Sequence, residues 1–118
     1  PTFWSRGATL KAPLRVDTPL DIAKAHQMRR ALSLPGGQLV ANPIPRDAEI
    51  PQSEMRPIIT RATKDADTHG ISGKALTPYL LQRIYELTDG RSLDANIALV
   101  LNNAVLGAQS AQEIASLR

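Results

Sequence analysis

The stretch from Leu93 to Ala108 is apolar on nearly every side, with Ile97, Ala98, Leu99, Val100, Leu101, Ala104, Val105 and Leu106 between its ends. A helix of that kind has to be surrounded by protein over most of its circumference. Ser92 reads as its cap, Asp94 suits the positive end of the helix dipole, and no proline follows as far as Leu117. Gly107 costs about 1 kcal/mol relative to alanine in an exposed helix interior, and less where another backbone passes close. A chain of 118 residues holds little material to wrap such a helix. The expectation is a fold that needs more protein than this chain supplies.

Three asparagines interrupt the apolar helix: Asn96, Asn102 and Asn103. A buried amide with unmade hydrogen bonds costs about 1–3 kcal/mol, so each needs a partner or a polar cavity. Asn96 and Asn103 fall near one face, and Asn102 points elsewhere. Asn96 also sits near the helix N-terminus, where unpaired amides attract anions and polar ligands. Its residue type leaves two readings open, a cross-link to nearby backbone or a ligand contact. For Asn102 and Asn103 the structural reading is preferred. An amide has no titrating proton, so it orients or stabilises and does not act as acid or base.

Upstream, residues 1–17 read as an irregular or extended segment that needs a surface to lie on, or else forms an arm. Residues 18–118 form the rest of the domain. Thr18-Pro19 reads as a cap followed by proline at the first helical position, starting a helix to about Leu32. Leu34-Pro35-Gly36-Gly37 ends it. Gln38 to Ala41 is a short strand candidate leading into the stiff Asn42-Pro43-Ile44-Pro45 segment. In an open α/β sheet, ligands bind beyond the strand ends, which makes Asn42 a ligand candidate; the plainer reading is a turn cap. A second helix is expected from Met55 to His69, with Pro57 tolerable only in its first turn. A third is expected from Pro78 to Thr88, opened by Thr77-Pro78 and ended by Asp89-Gly90.

Aromatic residues are confined to Phe3, Trp4, Tyr79 and Tyr85, so the core is built from Leu, Ile, Val and Ala. Fourteen Lys and Arg stand against 11 Asp and Glu, a formal charge of +3, and the basic residues are scattered. A nucleic-acid surface shows a basic stripe interleaved with aromatics, which is missing here, while the positive balance suits an anionic small substrate. No cysteine is present, which excludes thiolate catalysis and cysteine-held zinc. His69 has no second imidazole near it in sequence, so no metal site is expected from these residues. Gly73-Lys74 is followed by Ala75, which breaks the phosphate-loop pattern of nucleoside-triphosphate sites. No apolar run approaches the ~20 residues of a membrane span, and no signal peptide is visible. A cytoplasmic or mitochondrial location is expected.

Three blocks then read together. They are Pro35-Gly36-Gly37-Gln38-Leu39-Val40-Ala41-Asn42-Pro43-Ile44-Pro45, the run from Gly70-Ile71-Ser72-Gly73-Lys74 through Thr77-Pro78 to Leu81, and the run from Leu87-Thr88-Asp89-Gly90 through Asn96-Ile97-Ala98-Leu99-Val100 to Ala104. Their order and spacing resemble the C-terminal third of the pseudouridine-5'-phosphate glycosidase family, which includes indigoidine-synthase-A-like proteins. Tyr79 stands where phenylalanine is usual, and Asp89 where glycine is more common.

The resemblance implies an α/β fold: the C-terminal part of a three-layer α/β/α arrangement, mostly helical in this segment with a short strand near residues 38–41. It implies a homotrimer and the reversible cleavage of the C–C glycosidic bond of pseudouridine 5'-phosphate to uracil and ribose 5-phosphate. It also implies a lysine that bonds the sugar, a glutamate acid or base, and a manganese ion. All three belong to the portion of the pattern outside this chain, whose partner would be that remaining N-terminal portion or a companion chain. Neither Lys64 nor Lys74 is assigned the nucleophile's role. Asn96 matches the family asparagine at the substrate pocket and is the candidate catalytic and substrate-binding residue, with Asn42 as a second substrate-binding candidate. The alternative is a non-catalytic homologue serving as a structural or interaction subunit.

Overall fold

The computed structural model describes residues 2–9 and 11–117. Its elements are α1 (Pro19–Ala31), a 3-10 turn (Arg46–Ala48), α2 (Gln52–Thr68), a 3-10 turn (Gly73–Ala75), α3 (Leu76–Leu87) and α4 (Arg91–Ser116). The expected α/β character is corrected: no strand occurs among the described residues. Gln38 to Ala41 is irregular and exposed, and Leu39 is 97% exposed. A strand exists only when a neighbouring backbone completes its ladder. None is paired with this segment, so its β-branched and apolar residues decide nothing alone.

The chain divides into two compact units, Pro1–Ala8 with Pro43–Leu99, and Thr9–Asn42 with Val100–Arg118. In the first, Ile44, Ile50, Met55, Ala62, Ile84 and Ala95 form the core, edged by Trp4, Leu80, Leu87 and Leu99. Ile44 is fully buried between two prolines that hold its backbone extended. Burying such a side chain contributes about 1.5–3 kcal/mol. The small Ala62 and Ala66 let α2 approach its neighbours closely.

The start of the chain lies on this unit rather than forming an arm. Ser5 Oγ donates to the Ile50 carbonyl at 2.6 Å, and the Ile50 N–H donates to the Trp4 carbonyl at 2.9 Å. Arg6 reaches the Ile44 carbonyl at 2.6 Å, and its backbone N–H donates to Glu49 Oε1 at 2.7 Å. Trp4 Nε1 donates to the Ser92 carbonyl at 3.3 Å. Residues 11–17 are exposed throughout.

Helix boundaries follow capping chemistry at some ends and packing at others. At α1 a full capping box forms: the Asp21 N–H donates to Thr18 Oγ1 at 3.1 Å, and the Thr18 N–H donates to Asp21 Oδ2 at 3.1 Å. Helix α2 starts at Gln52, three residues before the expected Met55, so Pro57 lies inside it rather than in its first turn. Pro57 has no N–H for the carbonyl four residues back, Ser53, but both residues are exposed and water can serve that carbonyl. Helix α3 starts at Leu76, with Thr77 and Pro78 already in its first turn and Ala75 before it in helical geometry. The expected Thr77 cap is thus replaced by the preceding 3-10 turn.

Helix α4 begins at Arg91, and Ser92 is a buried residue of its first turn rather than its cap. Thr88 does the capping. In the second unit, Ile22 and Ala23 of α1 are buried, and the half-buried side of α4, with Asn102, Leu106, Ser110 and Ile114, continues into Leu117 just beyond it. These residues recur at three and four positions, one helical stripe. Gln27 Nε2 donates to the Leu117 carbonyl at 3.0 Å. The rest of the apolar surface of α4 is uncovered: Val100, Leu101 and Val105 are 58%, 62% and 54% exposed. Among the described residues, no helix is long and apolar enough to cross a membrane.

Candidate functional site

Asn96 lies in the second turn of α4, within the first unit. Thr88 holds the start of this helix: its Oγ1 accepts from the Ser92 N–H at 3.2 Å and donates to the Ile84 carbonyl at 2.8 Å. The turn between α3 and α4 closes through left-handed backbone at Asp89 (φ 51°) and Gly90 (φ 84°). Gly90 is the position that favours glycine, because an L side chain is strained at its φ of 84°. These local contacts fix where α4 begins and hence the direction of Asn96. Asn96 is half-buried, and its side-chain amide has no hydrogen-bond partner among the described residues. It can therefore donate to or accept from a ligand, as a group that orients rather than transfers a proton.

Asn42 and Asn103 lie together in the second unit. Asn42 Nδ2 donates to Asn103 Oδ1 at 3.1 Å, across 61 residues of sequence. Asn103 was read from the sequence as a structural cross-link, and this bond is one. Sequence spacing gave no means of choosing Asn42 as its partner. The one available signal was that an exposed-type amide stands on an otherwise apolar helix.

A polar cluster lies between α2 and α3. Asp65, His69, Tyr79, Gln82, Arg83 and Glu86 line a cavity of about 380 Å³. Arg83 Nε donates to Asp65 Oδ2 at 2.7 Å, and its Nη1 donates to Glu86 Oε2 at 2.9 Å. The hydrogen bond from Arg83 holds the Asp65 carboxyl below its ordinary range. Glu86 is lowered too, first by the Gln82 amide and then by Arg83. His69 Nδ1 lies 2.6 Å from the Asp65 carbonyl oxygen, so that nitrogen carries the proton and donates. Arg83 is already neutralised by two carboxylates, which leaves it little charge for an anionic ligand. Lys74 is exposed on its 3-10 turn. Among the described residues, no three His, Cys, Asp or Glu side chains come together as a metal site.

A model of the indigoidine synthase A like protein family matches residues 1–113. The chain belongs to that family. It is 65% identical over 114 residues to a pseudouridine-5'-phosphate glycosidase of Roseobacter denitrificans, covering 97% of this chain and 37% of that protein. A pseudouridine-5'-phosphate glycosidase of a Jannaschia species is 60% identical over 114 residues, covering 97% of this chain and 38% of the relative. The chain thus spans little more than a third of the length of these family members. Among solved structures, the prealnumycin C-glycosynthase AlnA in complex with ribulose 5-phosphate matches with a TM-score of 0.83 and 27% identity, over 98% of this chain and 38% of that one. The helices described above are therefore shared with that C-glycosynthase.

Proposed function

We propose that this chain forms part of a pseudouridine-5'-phosphate glycosidase, which reversibly cleaves the C–C glycosidic bond to give uracil and ribose 5-phosphate. The observation that carries the reading is the 65% identity sustained over 97% of the chain. The complex of a structurally similar C-glycosynthase with a phosphorylated pentose supports the sugar-phosphate half of it. In the proposed reaction water is consumed. The uracil carbon gains a proton as the bond breaks, and the sugar carbon becomes the aldehyde of ribose 5-phosphate. A C–C bond offers no heteroatom leaving group, so an imine between a lysine and the opened sugar would supply the electron sink.

That lysine, the acid–base glutamate and the manganese site are assigned to protein outside this chain. The described residues include no carboxylate and imidazole cluster fit to hold the metal. This chain's contribution is orientation. The partnerless Asn96 amide hydrogen-bonds the substrate, and Thr88 holds the helix start that aims it. The exposed apolar surface of α4 is covered by the rest of the enzyme, whose complete unit is proposed to be a homotrimer.

The test is to supply the full-length protein carrying this segment with uracil, ribose 5-phosphate and manganese. Product is followed by chromatography and mass spectrometry. The expected product has the combined mass of the two substrates less one water. A full-length protein that makes no such product, and does not cleave pseudouridine 5'-phosphate either, overturns the reading.

A further inference from the structure

Ser92 is a buried residue in the first turn of α4, and both of its backbone groups are engaged by side chains from outside that helix. Its N–H donates to Thr88 Oγ1 at 3.2 Å, and its carbonyl accepts from Trp4 Nε1 at 3.3 Å. In an α-helix each carbonyl accepts from the N–H four residues on, so the carbonyl that Trp4 engages is also the one that the Asn96 N–H bonds within α4. Trp4 reaches it across 88 residues of sequence, within the same compact unit.

Trp4 is itself held. Its carbonyl accepts from the Ile50 N–H at 2.9 Å, and the next residue, Ser5, donates from Oγ to the Ile50 carbonyl at 2.6 Å. The half-buried indole packs against the core of Ile44, Ile50 and Met55, with the Phe3 ring edge-on at 4.7 Å between centroids. Without Trp4 the Ser92 carbonyl would keep its helical bond, so the indole is not needed to satisfy it. What the indole adds is direction. First turns of helices open easily, and a second donor fixed to the core resists that opening where it would swing Asn96. Asn96 is half-buried, and its side-chain amide has no hydrogen-bond partner among the described residues. A binding group contributes most when the residues behind it hold its direction in advance.

We infer that Trp4 is a positioning residue: its indole N–H holds the turn of α4 that carries Asn96, so that the Asn96 amide meets the substrate in a set direction. The inference rests on the functional reading above and deepens it. Trp4 acts through Ser92 and does not touch the substrate.

The experiment uses the full-length protein in wild-type form and as Trp4→Phe, Asn96→Ala and the Trp4→Phe/Asn96→Ala double variant. Phenylalanine keeps the aromatic packing and removes the donor. The product assay gives kcat/KM, calorimetry gives Kd for ribose 5-phosphate, and urea unfolding gives the midpoint. Trp4→Phe is expected to lower kcat/KM about threefold, against about tenfold for Asn96→Ala, because it loosens an orientation and removes no substrate hydrogen bond. The double variant is expected to match Asn96→Ala alone, since Trp4 then has nothing left to aim. A second measurement needs no change at Trp4: in protein isotope-labelled at tryptophan, the Trp4 Nε1–H resonance is expected to shift when ribose 5-phosphate and uracil are added to wild type, and not when they are added to Asn96→Ala. Wild-type kcat/KM in Trp4→Phe, additive losses, a loss that matches a fall in folded protein, or a resonance that behaves alike with and without Asn96 overturns the inference and leaves the glycosidase reading standing. Wild-type kcat/KM in Asn96→Ala overturns the inference together with the Asn96 contact. Wild-type protein that binds ribose 5-phosphate without turnover overturns the glycosidase reading, and the same comparison made on Kd decides the role of Trp4. Wild-type protein that does neither overturns both.

Discussion

Thr88 Oγ1 stands between two helices, accepting the Ser92 N–H at 3.2 Å and donating to the Ile84 carbonyl at 2.8 Å. One hydroxyl thus closes the C-terminal end of α3 and the N-terminal end of α4. It is buried, so neither bond is easily replaced by water. Thr88→Val keeps the shape and removes these bonds together with the one to the Tyr85 carbonyl at 3.2 Å. It is expected to lower unfolding free energy by about 1–2 kcal/mol, the cost of a lost cap with a buried donor left unpaired. Thr88→Ser should retain most of the stability. Urea unfolding of the three proteins checks this, and equal midpoints for Val and Thr would show that the hydroxyl contributes nothing.

The turn after Thr88 holds two left-handed residues, one an aspartate and one a glycine. Gly90→Ala places a Cβ on left-handed backbone at φ 84° and is expected to cost about 1–2 kcal/mol. Asp89→Gly relieves an aspartate at φ 51° but frees the unfolded chain, and the two effects offset to within about 0.5 kcal/mol. Thermal unfolding of both variants distinguishes them. A Gly90→Ala protein as stable as wild type would mean that the turn adopts another geometry.

The Asp65–Arg83 pair sets an expected acid limb. Arg83 lowers the folded pKa of Asp65 below its unfolded value. The pair's stabilisation is therefore fully present above the unfolded value, about 4, and is lost as pH falls through the lower folded value. Both side chains are partly exposed, so the effect is modest and weakens with salt. Arg83→Gln should flatten the loss of stability below about pH 4. Unfolding midpoints between pH 2 and 7, identical in slope for variant and wild type, would remove the pair from the acid response.

Asn96→Ala is expected to cost activity without costing fold, because the amide makes no hydrogen bond among the described residues. In the full-length protein kcat/KM should fall about tenfold, the equivalent of one substrate hydrogen bond, with the unfolding midpoint changed little. A parallel loss of folded protein and activity would make Asn96 structural.

The uncovered face of α4 predicts the behaviour of this chain produced by itself. Leu101 and Val105 are more than half exposed on an apolar surface, which favours association. Sedimentation should show concentration-dependent oligomers, and Leu101→Glu should shift the distribution toward monomer. A strictly monomeric wild-type chain at high concentration would contradict this.

What the sequence determined by itself was local. Thr18, Pro19 and Asp21 specify the start of α1 because a capping box is complete within four residues. Asp89-Gly90 specifies the turn before α4 because left-handed backbone is a property of single residues. The all-round apolar character of α4 also announced a helix with surface left to cover. The tertiary structure decided the rest. Gln38 to Ala41 carries strand-forming residues, yet without a neighbouring backbone it forms no ladder. Pro57 lies inside a helix because packing of Met55, Ala62 and Ala66 outweighs one missing hydrogen bond. Asn42 finds Asn103 across 61 residues, a pairing that spacing along the chain cannot specify. Short-range hydrogen bonds are written in neighbouring residues; long-range ones exist only once burial has brought distant segments together.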